Sequence, residues 1–127
     1  MTSLCIAKKC NKCCKNTNML LSETDIRQIE KLGYSFDFFV DIYEGWFQLK
    51  NKDGHCVFHN GVKCLIYENR PVGCQLYPIT FDKDNNCAIL DGECPYKTKF
   101  LITTSKREKL LYLVSKIESE RVQRLVL

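Results

Sequence analysis

The chain has 127 residues, 45% hydrophobic and 27% charged, with nine cysteines, two histidines and a formal charge of +4. That length and composition fit one soluble globular domain over 1–127, small enough to gain from a staple, and no apolar run approaches the roughly 20 residues of a membrane span. The first residues carry no stretch apolar enough for a secretory signal, so the expected compartment is the cytoplasm. The positive charge argues little for nucleic acid, because it counts every thiol as neutral. Lys8, Lys9, Lys12 and Lys15 flank the first cysteines and would offset their thiolates.

In chain order, 1–18 is an irregular cysteine-bearing segment, organised by what it binds. Ser22-Glu23-Thr24-Asp25 has the form of an N-cap with an acidic residue three positions on. Ile26, Ile29 and Leu32, stopped by Gly33, then predict an amphipathic helix of about three turns. Ser35 is placed to cap a second short helix carrying Phe36, Phe39, Val40 and Tyr43, whose aromatics read as core. From Trp46 the period changes: 46–50, 51–54 and 55–59 read as strand, turn, strand. Asn60-Gly61 is a second tight turn, because both residues tolerate positive φ, and 62–67 completes a short meander. Cys56 and Cys64 then lie on either side of that turn.

All three prolines, Pro71, Pro78 and Pro95, fall close to a cysteine and stiffen its loop. A hairpin is expected over 81–90 around Asp84-Asn85-Asn86. Ser105-x2-Glu108 resembles a further capping box. It opens a helix bearing Leu110, Leu111, Val114, Ile117 and Leu125, with Glu120 and Arg124 paired at i,i+4. The fold class expected is therefore α+β: N-terminal helices, a short antiparallel β-meander and a C-terminal helix, stapled by cysteine-bound metal.

In a reducing compartment clustered cysteines point to metal or thiol chemistry rather than disulfides, and nine cannot all pair. Cys10-x2-Cys13 is the common bite for zinc and for iron–sulfur clusters. Cys14, adjacent to Cys13, would point the other way in an extended segment, so it serves a second centre, bridges two, or stays a reactive thiol. The other candidate ligands, Cys56, Cys64, Cys74, Cys87 and Cys94, come from far along the chain. Binding them closes long loops, and structural zinc in small modules contributes about 10–16 kcal/mol.

Cys5 reads as spare. His55 and His59 read as exposed strand histidines rather than ligands. Arg70 is expected to donate hydrogen bonds to thiolates or cluster sulfides, and Tyr67 and Tyr77 to wall off the site. Thiolate-only ligation suits both metals. The wide, irregular spacing departs from the paired knuckles of a zinc ribbon, which favours an iron–sulfur cluster ([4Fe–4S]) with zinc as the alternative.

Cys10-x2-Cys13-Cys14, Leu21-Ser22-x2-Asp25-Ile26, Cys56-Val57-Phe58, Cys64-x-Ile66-Tyr67-x2-Arg70-Pro71-x2-Cys74-x2-Tyr77-Pro78 and Cys94-Pro95 occur in one order. This order resembles the YkgJ-type cysteine-cluster family of zinc- or iron-chelating proteins, over about residues 5–96. The departure is Ala7, which stands where the family's C-x2-C-x2-C-C run begins. The resemblance implies a cysteine-held metal or iron–sulfur centre. It also implies a link to protein lysine methylation, since flagellin lysine methylases share the motif. Those are longer chains, and no glycine-rich methyl-donor loop occurs here, so no catalytic residue is assigned. The functions expected are a redox, sensing or accessory role. The alternatives are an accessory subunit for lysine methylation and a zinc-stapled module for RNA or the ribosome. The partners expected are metal ions and another protein; nucleic acid has less support, and no membrane is expected.

Overall fold

The computed structural model describes residues 17–91 and 101–126. Helix α1 (Glu23–Glu30) opens on a complete capping box. Ser22 Oγ accepts from Asp25 N at 3.1 Å, and Asp25 Oδ2 accepts from Ser22 N at 3.2 Å. Ile26 and Ile29 go into the core, and the helix unwinds at Gly33, φ +104°, where the left-handed region favours glycine. It has 8 residues, nearer two turns than the expected three, and Leu32 is 44% exposed rather than core.

The second helix, α2 (Phe36–Phe39), ends earlier than its aromatic run suggests. Val40 and Tyr43, expected in that helix, belong instead to strand β1 (Val40–Tyr43), antiparallel to β2 (Trp46–Leu49) with Tyr43 opposite Trp46. The decisive residues are Glu44 and Gly45, with φ of 50° and 83°. Two consecutive positive φ angles make the two-residue turn whose twist suits a hairpin. A Cβ at Gly45 would also stand 3.0 Å from Leu125 Cδ2, so that side chain would have to give slightly.

The turn chemistry repeats at Asp53-Gly54, φ 55° and 81°, which joins β3 (Asn51–Lys52) to β4 (His55–Cys56). At Asn60-Gly61 the chain reverses once more. Asn60 Oδ1 accepts from Val62 N and Lys63 N, and His59 bridges to Cys64. The expected third strand over 62–67 is reduced to that bridge, followed by a 3₁₀ turn over Tyr67–Asn69. Short α3 (Val72–Leu76) follows, then the expected hairpin of β5 (Ile79–Asp82) and β6 (Cys87–Leu90). Among the described residues the strands form three two-stranded antiparallel pairs, with isolated bridges at Leu20–Gln48 and His59–Cys64. Segment 19–21 borders β2 through Leu49 N to Met19 O and Leu21 N to Phe47 O.

Helix α4 (Thr104–Val126), 23 residues and about 34 Å long, packs on this frame through Leu110, Leu113 and Ile117. Its cap is Thr103, whose Oγ1 accepts from Lys106 N, two residues before the expected Ser105. Leu113 replaces Leu111 and Leu125 on the buried face; the latter two are 38% and 56% exposed.

Glu120 and Arg124 reach α1 and the first hairpin. Glu120 Oε1 accepts from Glu23 N, and Arg124 contacts Glu23 Oε1 at 3.4 Å while donating twice to Gly45 O. The main core joins Leu21, Ile26, Ile29, Phe39, Val40, Leu49, Cys56, Phe58 and Ile66; a second cluster centres on Leu76, Ile79 and Leu110. No helix among the described residues is long and apolar enough to cross a membrane.

Candidate metal centre

The two cores meet around α3, where three distant thiols converge. Cys56 leaves β4 buried, Cys64 follows the Asn60-Gly61 turn, and Cys74 sits in the middle of α3. All three line one small cavity, together with Thr17, Met19, Arg70, Pro71 and Tyr77. The turn chemistry read from Asn60-Gly61 and the stiff 70–78 loop are what bring these cysteines together. Among the described residues no group of three His, Cys, Asp or Glu side chains could by itself hold an ion. Cys5, Cys10, Cys13, Cys14 and Cys94 lie outside the described residues.

Cys87 stands apart, exposed on β6 opposite Asp82. It does not line the cavity.

Arg70 borders the thiols in a telling way. Its Nη1 donates to Tyr67 O at 2.8 Å, and its guanidinium lies 4.1 Å from the Tyr67 ring centroid. Its Nε is buried and has no partner among the described residues. A buried charged donor left unsatisfied costs more than the about 1–3 kcal/mol of a neutral group, so the position calls for an acceptor.

The two histidines, expected as exposed strand residues, are instead half-buried at His55 and buried at His59. His59 is 7% exposed and stacks on His55 at 5.8 Å. Gly61 N donates to His59 Nδ1 at 3.0 Å, which puts the neutral ring's proton on Nε2. That nitrogen is a donor, with no lone pair to give a metal. Burial first, and His55 second, hold the His59 pKa below the ordinary histidine value, so the ring stays neutral.

What holds α3 in place is Asp25, which was legible in sequence only as a cap. Its Oδ1 accepts from Val72 N at 3.2 Å while Oδ2 serves Ser22 N. One carboxylate therefore ties the start of α1 to the start of the helix that carries Cys74. Gly73 contributes by lacking a side chain, because a Cβ there would overlap Met19 Sδ. Neither Met19 nor Gly73 stood out in the sequence; the Pro71-x2-Cys74 spacing encloses Gly73 but gives no hint of its neighbour.

Residues 4–95 match the model of the family CxxCxxCC, described as "Putative zinc- or iron-chelating domain". No curated protein and no solved structure matches the chain.

Proposed function

This chain belongs to the CxxCxxCC family of zinc- or iron-chelating domains, and on that premise we propose that it holds a thiolate-bound metal centre built as one unit over 1–127. In this reading Cys10, Cys13, Cys14 and Cys94 join Cys56, Cys64 and Cys74. The observation that carries it is the convergence of three thiols on one cavity beside Arg70 Nε, which has no partner among the described residues. Thiolates around a divalent ion or a cluster keep net negative charge. Such an acceptor satisfies the buried N–H, and the guanidinium in turn favours the ionised thiols. The donor set fits soft metal chemistry, and we favour an iron–sulfur cluster over zinc because the ligands are thiols at irregular spacing.

Bound, a cluster supplies one-electron chemistry and a staple across the chain. The protein's own residues provide the thiols, an arginine donor and a wall of Tyr77, Ile66 and Phe58 that keeps water from the cavity. The role that follows is redox, sensing or accessory service to another protein.

Thiol alkylation tests the centre directly. In metal-loaded protein Cys64 and Cys74 resist iodoacetamide while Cys87 is labelled; chelation and reduction expose Cys64 and Cys74, and Cys56 stays protected by burial in the core. Equal labelling of Cys64 and Cys74 before and after chelation would sink the proposal.

A further inference from the structure

Among the described residues that line the thiol cavity, Thr17 comes first in the chain, and it is buried. Its backbone N–H, its carbonyl and its hydroxyl oxygen all have partners. Thr17 N donates to Asn51 Oδ1 at 2.9 Å, Asn51 Nδ2 donates to Thr17 O at 2.7 Å, and Thr17 Oγ1 accepts from Met19 N at 3.2 Å. One amide side chain thus does for Thr17 what a paired strand would do, satisfying the donor and the acceptor of the same residue. Asn51 stands in β3 as the register partner of Cys56 in β4. The clasp therefore joins the N-terminal segment to the strand pair that carries a cavity thiol. We infer that Asn51 is a positioning residue for the metal centre: by holding Thr17 at the cavity wall, it sets where the N-terminal cysteines are delivered. The inference rests on the metal-centre reading above.

Cys14 and Cys13 precede Thr17 by three and four residues. At no more than about 3.6 Å per residue, the covalent chain keeps them within about 11 Å and about 14 Å of Thr17 whatever path it takes. Thr17 shares its cavity with Cys56, Cys64 and Cys74, so fixing it raises the effective concentration of the two upstream thiols at a shared metal. Among the described residues no other group bonds Thr17 N or Thr17 O. Without the clasp the next tie is Met19 O, which accepts from Leu49 N. The tether of Cys14 then grows from three residues to five and loses its fixed direction. Asn51 is itself exposed, so its side chain serves this geometry rather than the apolar core. Truncating it therefore disturbs stability less than cutting a core contact does.

Asn51→Ala, Asn51→Asp and Arg124→Ala test this in the reduced full chain. Zinc affinity is measured by competition with a chromogenic indicator, and the stability of the metal-free chain by urea unfolding. In zinc-loaded protein, iodoacetamide labelling of Cys13 and Cys14 is read by mass spectrometry as a ratio to Cys87, the exposed internal reference. Asn51→Ala is expected to weaken zinc at least threefold and to raise the labelling ratio at least threefold. Arg124, which does not line the cavity, serves as the control: its alanine variant loses more stability in urea yet keeps wild-type affinity and labelling. Asn51→Asp keeps the acceptor for Thr17 N without the donor to Thr17 O, and falls between wild type and Asn51→Ala. Wild-type affinity and labelling in Asn51→Ala overturn the inference while leaving the centre standing. An equal or greater weakening in Arg124→Ala also overturns it, because affinity would then follow general stability. Failure of the wild-type chain to take up stoichiometric zinc overturns the inference and the centre together.

Discussion

Replacing Asp25 by alanine removes the one acceptor shared by two helix starts. Asp25 is 3% exposed, its Oδ2 3.2 Å from Ser22 N and its Oδ1 3.2 Å from Val72 N. Alanine leaves both backbone donors without a partner where water does not replace the carboxylate. At about 1–3 kcal/mol for each unsatisfied buried group, the loss is about 3–4 kcal/mol, a large share of the roughly 5–15 kcal/mol of a domain. Ser22→Ala removes only the bond from Asp25 N and costs about 1 kcal/mol. Asp25→Asn keeps one carbonyl oxygen and turns an amide donor toward the other N–H, so it falls below the alanine variant in cost. Urea unfolding at a fixed zinc concentration reads the differences, since free metal adds to apparent stability in every variant. An Asp25→Ala cost below 1 kcal/mol, or no larger than that of Ser22→Ala, would refute the cross-brace. The same variant should also raise iodoacetamide labelling of Cys74 relative to Cys87, because α3 loses its anchor.

Further predictions follow from the clasp, the distal hairpin and the thiols. Arg124→Ala gives up two bonds to Gly45 O, a ring contact at 3.7 Å from Phe47 and the Glu23 pair, for a loss of about 2–3 kcal/mol in urea. Lysine at 124 restores the charge but not the fork, and recovers less than half of that. At the distal turn, the Asn85 side chain and the N–H groups of Asn85 and Asp84 hold the Asp82 pKa below the usual carboxylate value. A depressed carboxylate favours the folded turn above its unfolded pKa of about 3.9, and that contribution fades as pH falls through the lower folded value. Asn85→Ala should therefore move the Asp82 titration upward by NMR; an unmoved titration contradicts the assignment. Cys74→Ser abolishes stoichiometric metal in the purified protein, whereas Cys87→Ser leaves the metal content unchanged.

Local signals carried far where the chemistry was local. The Ser22–Asp25 box, the Asn60-Gly61 reversal and the hairpin expected over 81–90 each depend on a few adjacent residues, and each is present, the hairpin starting two residues earlier at Ile79. The second helix was misjudged because Ser35 and the aromatic run suit a helix start, while Glu44-Gly45 decides the issue by closing a two-residue turn. Val40 then becomes the buried start of a strand whose other three residues are exposed. Long-range partners left no such trace. Glu120 and Arg124 are spaced for each other but reach Glu23 and Gly45, because the start of α1 and the first hairpin's turn present backbone groups to α4. His55 and His59 were read as exposed strand histidines because thiols are plentiful as ligands, yet His55 stacks on His59 and Gly61 N bonds its ring.

At the site, the cysteines were legible by count and spacing, and Arg70 by its place before Pro71. The Asp25–Val72 bond and the Met19–Gly73 contact were not, since each is a tertiary fit between segments more than 40 residues apart.

The most direct test of the central claim is metal and acid-labile sulfide analysis, with a visible spectrum, on full-length protein purified without oxygen. The account predicts stoichiometric iron and sulfide with a brown absorption that bleaches on reduction; stoichiometric zinc in a colourless sample would replace the cluster by a structural staple on the same thiols. Protein that is folded, fully reduced and free of stoichiometric metal of either kind would contradict it.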